Sequence, residues 1–337
     1  MTESTPPSGL LPSELLTEAG EQLFWTLNSL ILRPDQASFS ALELRTLGQD
    51  RFREHLLNWD VPLGQLVERG LLLKDGHHFT FGPDAEPVLT AAMAHFFGKT
   101  LVGLAASPTF KQYNERVHGQ DLSQFDMADM AQLSALLGAL HLSPNDTVLD
   151  LGCGLGGVCE YLQAQSGAHF TGLDFAPPVI AEAHRRTAGH PRLHYLVGNM
   201  DTLDLPNASF DAITAVDTLY FARNLPYTVK RLAELLRPGG RMGLFWSVKP
   251  NAGQPRQGPD NTRLAAALKA TGLPYTTTDF TVSELALWQR SLEAAEALEG
   301  EFKAEGLSDD QLNVVLEGRR MLENPEFHSR FLYVVQS

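Results

Sequence analysis

Val148-Leu149-Asp150-Leu151-Gly152-Cys153-Gly154-Leu155-Gly156-Gly157, followed about one helix later by Thr171-Gly172-Leu173-Asp174, is the stretch that decides the fold of this 337-residue chain. The first apolar run predicts a buried strand, the glycines a turn into a helix, and the second run a parallel strand ending in a carboxylate. Residues without a Cβ let the backbone lie against a ligand, and Asp174 can accept hydrogen bonds from both hydroxyls of a ribose. An adenine nucleoside is the expected ligand.

Gly152, Gly154 and Gly157 also fit the G-x-G-x-x-G spacing of NAD-binding folds, a weak pattern by itself. Asp150 stands before the turn, where it would repel a pyrophosphate yet attract an ammonium, directly or through water. Leu196-Val197-Gly198-Asn199-Met200-Asp201 lies where an adenine-reading loop is expected, and Ser209-Phe210-Asp211-Ala212-Ile213 opens a fourth strand. Leu235-Leu236-Arg237-Pro238-Gly239-Gly240-Arg241 then reads as a helix end and a Pro-Gly-Gly turn into a fifth strand.

With these motifs in this order, residues 106–250 resemble the class I S-adenosylmethionine-dependent methyltransferases, in the small-molecule, type 11/25-like branch. The resemblance implies an α/β fold, a doubly wound, seven-stranded, mostly parallel Rossmann-like sheet. It assigns Asp150 to the cofactor's ammonium region, Gly152, Cys153 and Gly154 to a backbone cradle, Asp174 to the ribose and Phe175 to the adenine edge. Asn199 stands where many relatives carry Asp, and its amide can still accept from the adenine amino group. Met200 is expected beside the ring or in the core. Asp217 would face the methyl donor, as sulfonium stabiliser or acceptor-orienting group, or else cap a strand end. Tyr220 would position the acceptor.

Tyr113, His118 and Gln124 fall in the segment that in this branch folds over the methionine tail. His118 has the titration range of a general base, though a lone histidine before a glycine also suits a structural place. Trp246 and Trp288 could wall an aromatic or cationic acceptor, or pack in the core. Enzymes that methylate exocyclic amines of DNA bases carry Asn/Asp-Pro-Pro-aromatic after the fourth strand, whereas this chain has Asp217-Thr218-Leu219-Tyr220.

Residues 1–105 read as an N-terminal module. Helical patterns over 15–32, 41–48 and 62–69 precede two strands around Asp75-Gly76 within 71–81, a winged-helix-like order, and residues 1–9 read as disordered. Residues 1–100 hold seven basic side chains against 13 acidic ones, and the whole chain carries a formal charge of −14. That balance opposes DNA and anionic membranes, and the resemblance to methyltransferases with similar N-terminal modules implies that this one serves homodimerisation or covers a substrate pocket. His77 and His78 read as solvated turn residues.

Residues 106–337 form the second expected domain, with strands near 147–151, 168–174, 192–197, 210–216 and 241–248. An antiparallel pair is expected at 275–281 and 329–335, and a helical lid at about 281–327 whose helices start at the capping-box patterns Thr281-x-x-Glu284 and Ser308-x-x-Gln311. The acceptor pocket would draw on the lid, the N-terminal module and residues 249–261. No uninterrupted apolar run reaches the roughly 18 residues of a membrane span, no signal core opens the chain, and two cysteines make neither a disulfide framework nor a zinc site, so a cytoplasmic enzyme without metal is expected. The competing readings are a nicotinamide-dependent oxidoreductase and a non-catalytic nucleoside-binding regulator that uses the winged helix on DNA.

Overall fold

The computed structural model describes residues 23, 26–27, 38–52, 59–248 and 256–337. Residues 1–9, most of the expected helix 15–32 and residues 249–255 of the expected pocket loop lie outside them; Leu23, Thr26 and Leu27 are helical. The chain divides into two compact units, Met1–Lys99 and Thr100–Ser337.

In the first unit, β1 (Phe39–Ser40), α1 (Ala41–Phe52), α2 (Asp60–Glu68), β2 (Leu72–Asp75) and β3 (His78–Phe81) follow in order. The strands form an antiparallel sheet ordered β1-β3-β2, with Gly76 supplying the positive φ of +58° that a two-residue hairpin turn demands. Helix α1 opens with a reciprocal cap: the Ser40 N–H donates to Glu43 Oε2 at 2.6 Å and the Glu43 N–H donates to Ser40 Oγ at 3.2 Å. His77 and His78 are exposed.

Helix α3 (Ala85–Ala106) is 22 residues long and apolar enough, by length and composition, to cross a membrane. The sequence reading missed this because Glu86, His95 and Lys99 interrupt the run. Val88, Leu89 and Ala92 are buried in it, and Leu104 joins a core cluster of the second unit with Phe110 and Val117 of α4 (Pro108–His118) and with Leu287. Core helices of soluble proteins have the same composition.

The second unit is a seven-stranded sheet ordered β6-β5-β4-β7-β8-β10-β9. Its strands are β4 (Thr147–Leu151), β5 (His169–Asp174), β6 (Leu193–Val197), β7 (Phe210–Ala215), β8 (Leu236–Val248), β9 (Tyr275–Asp279) and β10 (Ser329–Gln336). The first five run parallel, and β10 pairs antiparallel with β8 and β9. Alternation along each strand feeds two cores. Val148, Phe245 and Leu332 pack on one face with α5 (Met130–Leu140) and α6 (Gly157–Ser166), while Leu149, Leu151, Leu244, Trp246, Phe331 and Tyr333 pack on the other with α8 (Leu225–Leu235) and α9 (Arg263–Thr271). Helix α7 (Pro177–Arg186) completes the first face through Ile180 and Ala183.

The expected Pro-Gly-Gly turn lies inside β8. Leu236 pairs with Phe210, the chain bulges through Gly239 at φ +83°, and pairing resumes at Arg241 opposite Ala212.

The segment expected to form a lid consists of α10 (Thr281–Ala297), α11 (Glu299–Ala304) and α12 (Ser308–Glu323). Neither expected capping box forms. The Thr281 hydroxyl accepts from the Arg330 N–H at 3.0 Å, Glu284 turns into the protein, and Gln311 donates to the Ala295 carbonyl at 2.9 Å. Interior partners outcompete the helix's own N–H groups at both positions, which spacing alone does not reveal.

Close approach fixes one glycine. A Cβ on Gly157 would stand 1.7 Å from the Leu122 carbonyl oxygen, so Gly157→Ala must push α6 away from the segment before α5. We expect a fall of several degrees in melting temperature, read by circular dichroism, and an unchanged melt would contradict this packing.

Candidate functional site

The parallel strands present their C-terminal ends on one edge, and the chain order reverses between β4 and β7, where an α/β sheet opens a crevice. Asp150, Asp174 and Asp217 stand at or just beyond the ends of β4, β5 and β7, and Trp246 near that of β8. The sheet therefore gathers residues that lie far apart in sequence.

The glycine turn has an arrangement its composition did not disclose. The N–H groups of Gly152 and Cys153 both donate to the Leu173 carbonyl, at 2.7 and 3.1 Å, and that of Gly154 donates to Asp174 Oδ2 at 3.1 Å. This corrects the expected cradle: three N–H groups that a pyrophosphate would need already serve β5. What the turn offers a ligand is backbone without side chains. Nothing lies within 4 Å of where a Cβ on Gly154 would stand, whereas one on Gly152 would meet Thr218 Cγ2 at 2.5 Å.

Asp174 is held ready for a diol. Its Oδ2 takes the Gly154 N–H and its Oδ1 the Ala176 N–H at 3.0 Å, which leaves lone pairs on both oxygens. Burial raises its pKa, against the lowering effect of those N–H groups. Phe175, half-buried, follows it.

Asp150 lies beneath the turn, 3% exposed, with Oδ1 accepting from Thr214 Oγ1 at 2.6 Å and Oδ2 from the Cys159 thiol at 3.1 Å. Burial pushes its pKa up to about 6. Asn199 commits its side-chain oxygen to the Asp201 N–H at 2.9 Å, so its amide N–H₂ remains for an adenine ring nitrogen. Met200 packs against the core.

Asp217 is the largest departure from expectation. The Arg330 guanidinium grips it with two bonds, at 2.7 and 2.9 Å; the Met127 N–H adds a third at 2.9 Å and the Tyr220 hydroxyl a fourth at 3.0 Å. Burial alone would raise its pKa, but Arg330 and these donors hold it below the usual carboxylate value. With φ at +55° and a full set of donors, it anchors the wall of the crevice and is not a free anion facing the methyl group.

Tyr220 is equally committed: its oxygen accepts the Ser247 N–H at 2.5 Å, its ring centroid lies 4.6 Å from that of Trp246, and burial holds its pKa well above the ordinary value. Trp246 belongs to the core cluster. The Trp288 indole N–H is buried with no partner among the described residues, and Tyr113 bonds Ser291 on α10 at 2.6 Å.

The two upstream polar residues shape a loop. His118 Nδ1 meets the Ala128 carbonyl at 3.1 Å, and burial drives its pKa down to about 4, so it is a poor proton acceptor at neutral pH, which corrects the general-base expectation. Gln124 accepts from the Leu122 N–H at 2.9 Å and donates to the Ala128 carbonyl at 3.3 Å, so it holds the same loop together and does not reach for a cofactor.

Sequence reading missed Arg330, Glu284, His328 and Asp126. Arg330, 0% exposed, also donates to Gln132 and Ser247 and lies 4.7 Å over the Phe245 ring. Ser247 donates to Glu284 at 2.8 Å, and Glu284 pairs with buried His328. The trace in the sequence was an arginine at the head of the apolar run Phe331-Leu332-Tyr333-Val334-Val335, where a charge drawn into the core needs an interior partner.

Residues 148–240 match the family model described as Methyltransferase domain. Malonyl-[acyl-carrier protein] O-methyltransferase of Enterobacter lignolyticus is 32% identical over 154 residues, 46% of this chain, and the chain spans only 53% of that relative's own length. Phosphoethanolamine N-methyltransferase 2 of Haemonchus contortus, solved with S-adenosyl-L-methionine, superposes with a TM-score of 0.56 at 16% identity, over 67% of this chain and 59% of that one. The [4+2]-cyclase SpnF superposes equally well, at a TM-score of 0.56 and 17% identity, over 71% of this chain and 94% of that one. Such distant likenesses establish the fold, and the family match assigns residues 148–240 to a methyltransferase domain.

Proposed function

We propose that this chain transfers the methyl group of S-adenosylmethionine to a small-molecule acceptor. The observation that carries the reading is Asp174, whose two oxygens each accept one backbone N–H and keep room for a ribose diol beside an open, side-chain-free turn. When bound, the cofactor supplies an electrophilic methyl group on a sulfonium. This chain's part is to hold the nucleoside at Asp174, turn the adenine toward Phe175 and the Asn199 amide, and line up the acceptor against a rigid wall. Orientation of that kind is worth roughly 7–11 kcal/mol in favourable cases. The Arg330–Asp217–Tyr220 bonds give the wall its rigidity. The same turn disfavours the nicotinamide reading, since its N–H groups are spent.

The N-terminal unit is proposed to serve dimerisation or substrate cover, in keeping with its acidic balance. Incubation with methyl-labelled S-adenosylmethionine and panels of amines, phenols and carboxylic acids tests the function: label should enter a small molecule with release of S-adenosylhomocysteine. Label in nucleic acid alone, or NAD reduction by an alcohol panel, would overturn it.

A cation bound above Asp150 favours its ionised form. Cofactor binding should therefore release protons near pH 6, and affinity should rise as pH increases from 5 to 7. Calorimetry in buffers of different ionisation enthalpy reads this directly, and proton uptake would contradict it.

A further inference from the structure

Residues 119–129 form a tightly bonded loop ahead of α5. Asp121 Oδ1 accepts from Asn114 Nδ2 at 3.0 Å and from the Ser123 N–H at 2.8 Å, and the Gln124 bonds close the next turn. The Met127 N–H bond to Asp217 then pins the loop to the end of β7. This network fixes Asp126, one residue before Met127.

Asp126 is half-buried, and its Oδ1 accepts the Ala128 N–H at 2.8 Å. Its Oδ2 meets no donor among the described residues. Burial pushes its pKa up to about 7, followed by the charge of Asp217, with Asp150 adding to the rise and Arg330 opposing it. The bond of its neighbour Met127 to Asp217, just beyond the end of β7, brings Asp126 to the edge of the sheet where Asp150, Asp174 and Asp217 gather. Arg330, the cation that could balance it, already has four of its five N–H donors placed, on Gln132, Ser247 and the two Asp217 oxygens. Asp217 is thereby matched and Asp126 is left without a counter-charge.

We propose that Asp126 Oδ2 receives an ammonium group in the crevice, either the α-ammonium of S-adenosylmethionine or an amine acceptor docked at the methyl group. The inference rests on the methyltransferase reading of the site. A half-buried carboxylate short of one donor binds a primary ammonium better than a hydroxyl, since the ammonium adds the attraction of opposite charges to the hydrogen bond. The same residue disfavours anionic groups at that point, so it acts as a specificity determinant as well as a ligand.

Calorimetric titration of wild type and Asp126→Asn with three probes tests it. S-adenosylhomocysteine carries the α-ammonium, sinefungin adds a second ammonium where the methyl group sits, and 5′-methylthioadenosine has neither. Asparagine retains the oxygen that accepts from Ala128, so the loop keeps its bonds. If Asp126 meets the cofactor's tail, the variant weakens S-adenosylhomocysteine and sinefungin at least tenfold and leaves 5′-methylthioadenosine unchanged. If it meets the acceptor position, only sinefungin weakens, and the wild type's preference for sinefungin over S-adenosylhomocysteine disappears. Equal affinities in both proteins for all three probes, or equal losses for all three, would overturn the proposal. Failure of the wild type to bind S-adenosylhomocysteine would instead sink the methyltransferase reading itself.

Discussion

Arg330→Met is expected to be the most damaging single change, lowering the melting temperature of the protein by about 10 °C. The guanidinium is fully buried and supplies two bonds to Asp217, one to Gln132 and one to Ser247, while Glu284 lies 3.6 Å away. Methionine fills the volume but leaves Asp217 buried without its cation. Removing one partner of a buried pair typically costs about 3–5 kcal/mol, and about 1 kcal/mol moves the melting point by roughly 2–4 °C at this size. Arg330→Lys keeps the charge but cannot form the two-pronged grip, so it should fall between the two. Adding Asp217→Asn to Arg330→Met removes the stranded anion and should recover part of the loss. A melt of Arg330→Met within 2 °C of wild type would show that this network contributes little.

Asp174→Ala is expected to weaken S-adenosylhomocysteine binding at least a hundredfold. Two hydrogen bonds from a diol to a charged oxygen are worth about 1.5–3 kcal/mol each, and alanine also strands the Gly154 and Ala176 N–H groups that shape the turn. Asp174→Asn separates the two effects, since it can retain one acceptor and much of the turn. It should bind more weakly than wild type and more tightly than alanine. Calorimetry reads all three, and near-equal affinities would show that the ribose does not rest on Asp174.

The parallel half of the sheet and the positions of the glycine turn and of Asp174 were legible in the sequence because they depend on local pattern. Val148 to Leu151 alternates between two cores, Gly152 needs its φ of +70°, and Asp174 ends a strand. The surroundings of Asp217 were not legible, because they depend on contacts across long separations. Asp217 looks like a free acid until Arg330, 113 positions later, is found gripping it. Glu284 looks like a helix cap until Ser247 and His328 claim it. His118 has the composition of a base, but the burial that disqualifies it comes from tertiary packing. Asp126 carries no motif at all, and only the bond of Met127 to Asp217 brings it to the end of β7.

Titration of the purified chain with S-adenosylhomocysteine and, separately, with NAD tests the central claim most directly. One site with a roughly micromolar dissociation constant for S-adenosylhomocysteine and no heat with NAD is the predicted result. No binding of S-adenosylhomocysteine at millimolar concentration, or NAD bound with equal strength, would contradict it.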